Sequence, residues 1–409
     1  MNKRSVLWGV VILAGLILIV RLGPAKQSLA PVAELVTPQS KHAVKYVHHL
    51  KRSVVEAAPA IVPSSLPPAE TNAANIYRDA ISLFDALTQS NKDILSNWQT
   101  NLAATIVAEL CEKIRPICAD LYQASLVTNC DWGLGPLAPG TKLPHLRPAR
   151  DLGRVAIWSA AHCRPNDGAA ATEDVLATLR LGQQIATGAA ILGYLVDMKL
   201  QEMAWSYVAA NLDTFSIADG QQLAAAFDAL AYDDAFGRAM AQESDFVDRF
   251  AAKLAALPPT AVAKQLGELG SGWDQLDPAT VVNSLNRLAN LQRDLTKMMA
   301  TGTAADYTAW LQRAEQLQAA IPFVKDFLPS AMLLEKWQGY EVNRALVEAG
   351  LAVAANGAAG LATHLDPASG GSFTYRAVPG GFELQSTYQV NHQPLKIYFR
   401  QRVTRKESS

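Results

Sequence analysis

The 409-residue chain carries little charge. Asp, Glu, Lys and Arg make up 18% of it, and 36 basic against 37 acidic residues leave a formal net charge of −1. No field of one sign covers the molecule, so nucleic acid is not an indicated partner. Cysteine is also scarce. The four present, Cys111, Cys118, Cys130 and Cys163, form no CxxC pair, and their spacings of seven, twelve and thirty-three fit no zinc site. His48 and His49 are adjacent and leave a helix on different faces, which makes a poor metal pair. No phosphate loop, HExxH, GxSxG or GxGxxG stands up, so no metal and no cofactor is indicated. Acidic residues occur in scattered groups: Asp197 with Glu202, Asp233-Asp234, and Glu243, Asp245 and Asp248. A glycosidase needs two carboxylates facing one bond, whereas a solvated face accounts for these.

The hydrophobic share, by contrast, is half of the chain, which excludes a wholly disordered polymer. Its most concentrated piece is at the N-terminus, where Val6 to Val20 is a run of fifteen apolar or Gly residues flanked by Lys3, Arg4 and Arg21. At about 1.5 Å per residue the run spans roughly 23 Å, and Ser5 and Leu22 extend it toward a ~30 Å hydrocarbon core. Residues 1–23 therefore read as a transmembrane anchor or a signal, with 5–22 in the lipid bilayer. Ser28-Leu29-Ala30 offers a cleavage site but lies far from the run and precedes Pro31, which favours the anchor. Either reading puts the bulk of the chain outside the cytoplasm: inner membrane, single-pass, periplasmic or otherwise extracytoplasmic. Residues 24–68 hold seven prolines and read as a stalk or linker, with a short basic amphipathic helix at Lys41 to Arg52.

From Asn72 to about Asn356 the period is helical. Pro148 opens one helix at its first turn, and Leu152, Val155, Ala156 and Ser159 line one face. Val175, Leu179, Gly182 and Ala186 repeat at four, three and four; Val281, Leu285, Leu288, Gln292, Leu295 and Met299 form a near-heptad stripe. Asp277 before Pro278 fits an N-cap and a first-turn proline. The fold class is mainly α: an N-terminal transmembrane helix, roughly ten to twelve helices in antiparallel pairs, as a bundle or irregular repeat-like stack, and a small C-terminal antiparallel sheet. The domain reading is 69–362 helical, 363–402 a β-hairpin module packed on the helices, and 403–409 a basic tail.

One long interruption, Asn129 to Leu146, holds three Gly, three Pro and Trp132. A loop of this length is functional or packed by its own side chains. Asp131, His145 and Arg150 are the catalytic candidates it could gather, and Trp132 the binding candidate. Trp132 as a plug and Arg150 as an ion-pair partner are the plain structural readings. An even cysteine count in an exported chain favours two disulfides, with three connectivities open. Cys111 and Cys118 lie about 10 Å apart on a continuous helix, too far to bridge. Pro116 is expected to break that helix, so the pairing adopted is Cys111–Cys118 and Cys130–Cys163, with free buried thiols as the alternative.

The C-terminal stretch DPASGGSFTYRAVPGGFELQ alternates between turns. Phe373, Tyr375 and Ala377 alternate with Thr374 and Arg376; Phe382, Leu384 and Ser386 alternate on the return; and Leu395, Ile397 and Phe399 offer a third strand. Its pattern, DPxSGxxFxYxxxxxGFxLxS, resembles the C-terminal module of a group of uncharacterised, membrane-anchored helical bacterial proteins recurrent in planctomycetes. Four further stretches resemble the same group: PPAETNAANIYRDA at Pro67 to Ala80, CDWG at Cys130 to Gly133, LPHLRPARDLGRVA at Leu143 to Ala156, and VLATLRLGQQIA at Val175 to Ala186. The resemblance implies architecture and an envelope location, and supplies no catalytic residues. The expectation is an anchored extracytoplasmic protein with a scaffold or protein-interaction role toward an envelope partner. The alternative is an envelope hydrolase acting on glycan or peptide through residues 129–150, and a carrier of a hydrophobic ligand is a third reading. The balance is against an enzyme without settling it.

Overall fold

The computed structural model describes residues 71–135, 137, 141–229, 235–269, 275–301, 304–320, 331–390 and 392–400. The anchor or signal expected at 1–23, the stalk or linker expected at 24–68 and the basic tail expected at 403–409 lie outside the described residues. Those described form a mainly helical protein closed by a three-stranded antiparallel sheet. They fall into two compact units. The larger takes its described residues from 71–135, 143–239 and 335–400; the smaller takes them from 137–142 and 240–334.

In the larger unit, α1 (Ala73–Asp85) starts where Asn72 accepts a hydrogen bond from the Ala74 amide. Its buried stripe is Ala73, Tyr77, Ala80 and Phe84, spaced as one helix face. After the short α2 (Gln89–Leu95) comes α3 (Ala104–Ser125), which buries Leu110, Ile114, Ile117, Cys118 and Leu121. The expected break at Pro116 does not occur, because the helix continues through it. Pro116 sits on the exposed face, so water can satisfy the carbonyl its ring deprives of a donor, while Ile114 and Ile117 hold the other face in the core.

That continuity corrects the disulfide pairing. With Cys111 and Cys118 two turns apart on one rigid helix, Cys111 instead pairs across to Cys163 at the end of α4 (Leu146–His162), with Cα atoms 5.6 Å apart. Cys118 and Cys130 are free thiols.

Helices α5 (Gly168–Ala186) and α6 (Ala190–Ala210) run antiparallel beside α4. Close approach shows in Gly182, where a Cβ would fall 2.2 Å from the Asp197 carboxylate oxygen, so only glycine leaves room for that side chain. The faces expected from the sequence are the buried ones: Leu152, Val155, Ala156 and Ser159 on α4, and Val175, Leu179 and Gly182 on α5. Helix α7 is Ile217–Ala229; α8 (Ala235–Ala255) contributes to both units.

In the smaller unit, α9 (Pro259–Leu269), α10 (Pro278–Thr301) and α11 (Ala304–Ala320) follow. The Asp277 carboxylate accepts from the Thr280 amide and hydroxyl at 2.8 and 2.7 Å, the expected cap ahead of a first-turn proline. Val281, Leu285, Leu288, Gln292 and Leu295 are buried as the stripe requires, whereas the side chain of Met299 lies outside the described residues. Trp310 of α11 donates its indole N–H to the Leu291 carbonyl of α10 at 2.7 Å.

The chain re-enters the larger unit through α12 (Ala331–Asn356). The stretch Lys336–Thr363 has the length and apolar composition of a membrane span, but half of that window is buried. Its turns also hold Arg344 between Glu341 and Glu348, at 2.8 and 3.2 Å and buried, as in a core helix. Strands β1 (Thr374–Val378), β2 (Gly381–Val390) and β3 (Gln393–Arg400) pair in sequence order. Phe382 pairs with Phe399 and stacks on it at 5.0 Å. Phe399 lies so close to α12 that a Cβ on Gly350 would fall 2.2 Å from its ring. The inner face of the sheet thus merges with the helical core at Leu346, Val347 and Leu351. The outer face carries Arg376–Glu383–Lys396, an ion ladder at 3.1 and 3.3 Å. Tyr375 of β1 is exposed, although the aromatic residues of the hairpin were expected to pack on the helices; β1 is an edge strand of the sheet.

The hairpin is tied to the body by Asp366, which is fully buried. Its carboxylate accepts from the Ala368 amide, the Ser369 hydroxyl, the Ser386 hydroxyl, and the amide and hydroxyl of Thr387, at 2.7 to 3.2 Å. The β2–β3 register shift lies between Gln385 and Gln389, the stretch of β2 this carboxylate holds. The DPxSG turn and the serine that ends GFxLxS are therefore donors and acceptor of one knot. Asp366→Ala is expected to cost about 3–5 kcal/mol, because it leaves several buried donors unpaired. Urea unfolding measures this, and a loss under about 1 kcal/mol would show that the knot is dispensable.

Candidate functional site

The loop candidates meet α1, whose residues were not among the site candidates. Asn72 bonds Asp131 twice: its side-chain amide donates to the Asp131 carbonyl at 2.8 Å, and its Oδ1 accepts from the Asp131 amide at 2.9 Å. The Ala73 amide donates to the Asn129 carbonyl at 2.9 Å. One turn along α1, Arg78 donates to the Trp132 carbonyl at 2.9 Å and lies over the Trp132 ring at 5.7 Å. Tyr77 stacks on the same ring at 5.9 Å, and His145 stacks on it at 4.5 Å. The Tyr77 hydroxyl donates to Gln184 Oε1 at 2.5 Å, and Gln184 donates to the Val127 carbonyl at 2.6 Å. The loop is thus clasped between α1 and α5 around an indole that is 9% exposed.

Of the four candidates, the structure brings Trp132 and His145 together. Asp131 is adjacent in the chain, but its carboxylate accepts from the Gly133 amide at 2.7 Å and serves the turn. Gly133 has φ of +70°, a conformation that favours glycine, so the DWG sequence is what lets the chain turn after the indole. Arg150 is half-buried on α4, and the ion-pair role expected for it is taken by Arg154, which binds Asp151 at 2.8 Å. Asn72, Tyr77, Arg78 and Gln184 were missed as site residues. In space Tyr77, Trp132, His145 and Gln184 form one contact set, although they come from four separate stretches of chain.

The electrostatics suit packing better than catalysis. His145 is 6% exposed, and burial, with the Arg78 charge second, pushes its imidazole down to about 4. It stays neutral at physiological pH and is a weak base. Burial raises the Tyr77 phenol well above its ordinary value and the Cys130 thiol to about 11, so neither offers an anionic nucleophile.

Deeper in the same unit, Ser159 lies between Cys118 and Asp174. Burial, with repulsion from Asp174, drives the thiol to about 12. Burial lifts the Asp174 carboxyl to about 6 against the opposing pull of Arg164, 3.9 Å away. A thiol, a hydroxyl and a carboxylate in this order lack the imidazole that would activate the sulfur. Asp197 is another buried acid, pushed up to about 7 by burial although Gln201 donates to it at 2.7 Å. Among the described residues no three His, Cys, Asp or Glu side chains form a metal-holding group. A cavity of about 40 Å³ lies at Leu212, Phe215, Ile217, Gly220, Leu351 and Ala354, far below the ~300 Å³ of a small-molecule pocket.

Trp132→Ala is expected to cost about 3–5 kcal/mol, because three partners lose their common ring. Equality with the parent in chemical denaturation would show that the loop holds without the clasp. The buried titratable groups act in opposite directions with pH. For His145 the folded value lies below the unfolded one, so stability is lost as pH falls from 6.5 to about 4. His145→Phe, which keeps the stack, removes that loss. For Asp197 the folded value lies above the unfolded one, so stability is lost as pH rises from 3.8 to about 7. Asp197→Asn is expected to be more stable than the parent at pH 8, by on the order of 2 kcal/mol, with the gain vanishing toward pH 4 in thermal melts. Comparison with protein-family models, curated protein sequences and solved structures finds no match to this chain.

Proposed function

We propose that the chain is a membrane-tethered, extracytoplasmic protein that presents a disulfide-braced helical domain to a protein partner in the cell envelope. The observation that carries this reading is the Cys111–Cys163 bridge, which joins the middle of α3 to the end of α4 across 52 residues. Such bonds persist in oxidising compartments and are rare in the cytosol, which agrees with an export leader at residues 5–22. The loop residues support presentation over hydrolysis. Asp131, Trp132 and His145 are committed to a turn, a stack and a buried contact, and the titratable groups around them are held in unreactive forms. The sheet contributes shape: it caps the last helix and turns an ion ladder to solvent.

Two measurements test the reading. The full chain, expressed from its own start and alkylated under non-reducing denaturation, should expose two thiols before reduction and four after. Cys163→Ser should lower stability by about 4 kcal/mol from the loop-entropy relation. A reporter fused after Ser409 should be active only outside the cytoplasm. Four thiols reactive without reduction, together with a reporter active in the cytosol, would sink the proposal.

A further inference from the structure

We infer that Arg147, Arg150 and Arg154 on the outer face of α4 form a binding site for a phosphate-bearing anion. The three stand at i, i+3 and i+7, so they share one face over about 10 Å of helix. Ala149, Leu152, Val155 and Ala156 on the opposite face are buried and fix the helix in place, and Leu146, Gly153, Ile157 and Trp158 beside the arginines are buried as well. Only one of the three charges is compensated: Arg154 pairs with Asp151 at 2.8 Å, both largely covered. Among the described residues no carboxylate lies within ion-pair distance of Arg147 or Arg150. Arg150 is half-buried, and its Nε is shut off from solvent with no hydrogen-bond partner.

A guanidinium does not shed its charge, so a half-buried, unpaired one is a standing cost to the fold. Burial, and then repulsion from Arg154 and Arg147, lowers the Arg150 proton affinity, and only Asp151 opposes this among its neighbouring side chains. Arg150 is only partly covered, so an anion can meet the solvent-facing part of its guanidinium and offset the charge, while Nε stays enclosed. The start of α4 adds to the attraction. His145 at its N-cap supplies no side-chain acceptor, so the positive end of the helix is uncompensated beside Arg147. Phosphate fits better than carboxylate, because its several oxygens can take the forks of two guanidinium groups at once. The phosphate could be that of a free ligand or of a lipid headgroup, and the chemistry is shared. The site stands on α4 alone and does not rest on the envelope role proposed above.

The test uses the full chain in neutral-detergent micelles. Thermal melts and titration calorimetry are run with sodium pyrophosphate against sodium chloride of equal ionic strength, and in parallel with micelles containing phosphatidylglycerol. The parent should melt higher with pyrophosphate. Arg150→Gln and Arg147→Gln should each bind about tenfold more weakly, one charge-assisted contact being worth that much. Stabilisation by phosphatidylglycerol but not by pyrophosphate, lost in both variants, would assign the same site to a headgroup. Arg147 is exposed, so its variant should fold, as circular dichroism will report, even if Arg150→Gln does not. No stabilisation in either arm, or stabilisation undiminished in the variants, would overturn the inference.

Discussion

A carboxylate without solvent access normally destabilises a fold, and Asp366 is tolerable only because five donors surround it. That requirement organises the C-terminal region. Donors must come from the turn that follows Asp366 and from the far part of β2, so the chain has to return and lay β2 beside its own starting point. Once there, Phe382, Leu384 and Phe399 face the helices and Gly350 lets the ring of Phe399 reach the α12 backbone. Three short strands would hold poorly alone; here they share one core with Leu346, Val347 and Leu351.

The loop after α3 follows the same logic with an aromatic group at its centre. Tyr77 and His145 stack on Trp132, and Arg78 lies over its ring. Asn72 and Gln184 then bond backbone groups of Asp131 and Val127, just before the buried indole, and fix a loop whose other described residues are mostly exposed or half-buried. A side chain used in this way is poorly placed to move, and a group so enclosed titrates toward its neutral form. The chemistry of the loop and its packing are therefore one fact: the enclosure that holds the indole also keeps His145 neutral and Cys130 protonated.

The contrast lies on the outside of α4. There Arg154 is paired with Asp151, while the enclosed Nε of the half-buried Arg150 has no hydrogen-bond partner. Natural folds satisfy most buried polar groups. In the larger unit Asp366 is met by five donors and Arg344 is held by Glu341 and Glu348.

Much of the architecture was legible in residue spacing. The buried faces of α4, α5 and α10, the Asp277 cap and all three strands follow from periods of 3.6 and 2 and from turn residues, which act over a few positions of chain. The identity of the partners across space was not legible. Pro116 sits in an unbroken helix because its face is exposed, and the disulfide partner of Cys111 changes with it. The site was half visible: Trp132 and His145 could be named from one loop, but Tyr77 and Arg78 come from a helix more than fifty residues earlier. Local sequence determined which faces were apolar and where the chain turned, because those depend on neighbouring residues alone. Tertiary packing decided which cysteines met, what closed around Trp132, and which arginine was left without a partner, because burial and distance are properties of the assembled chain.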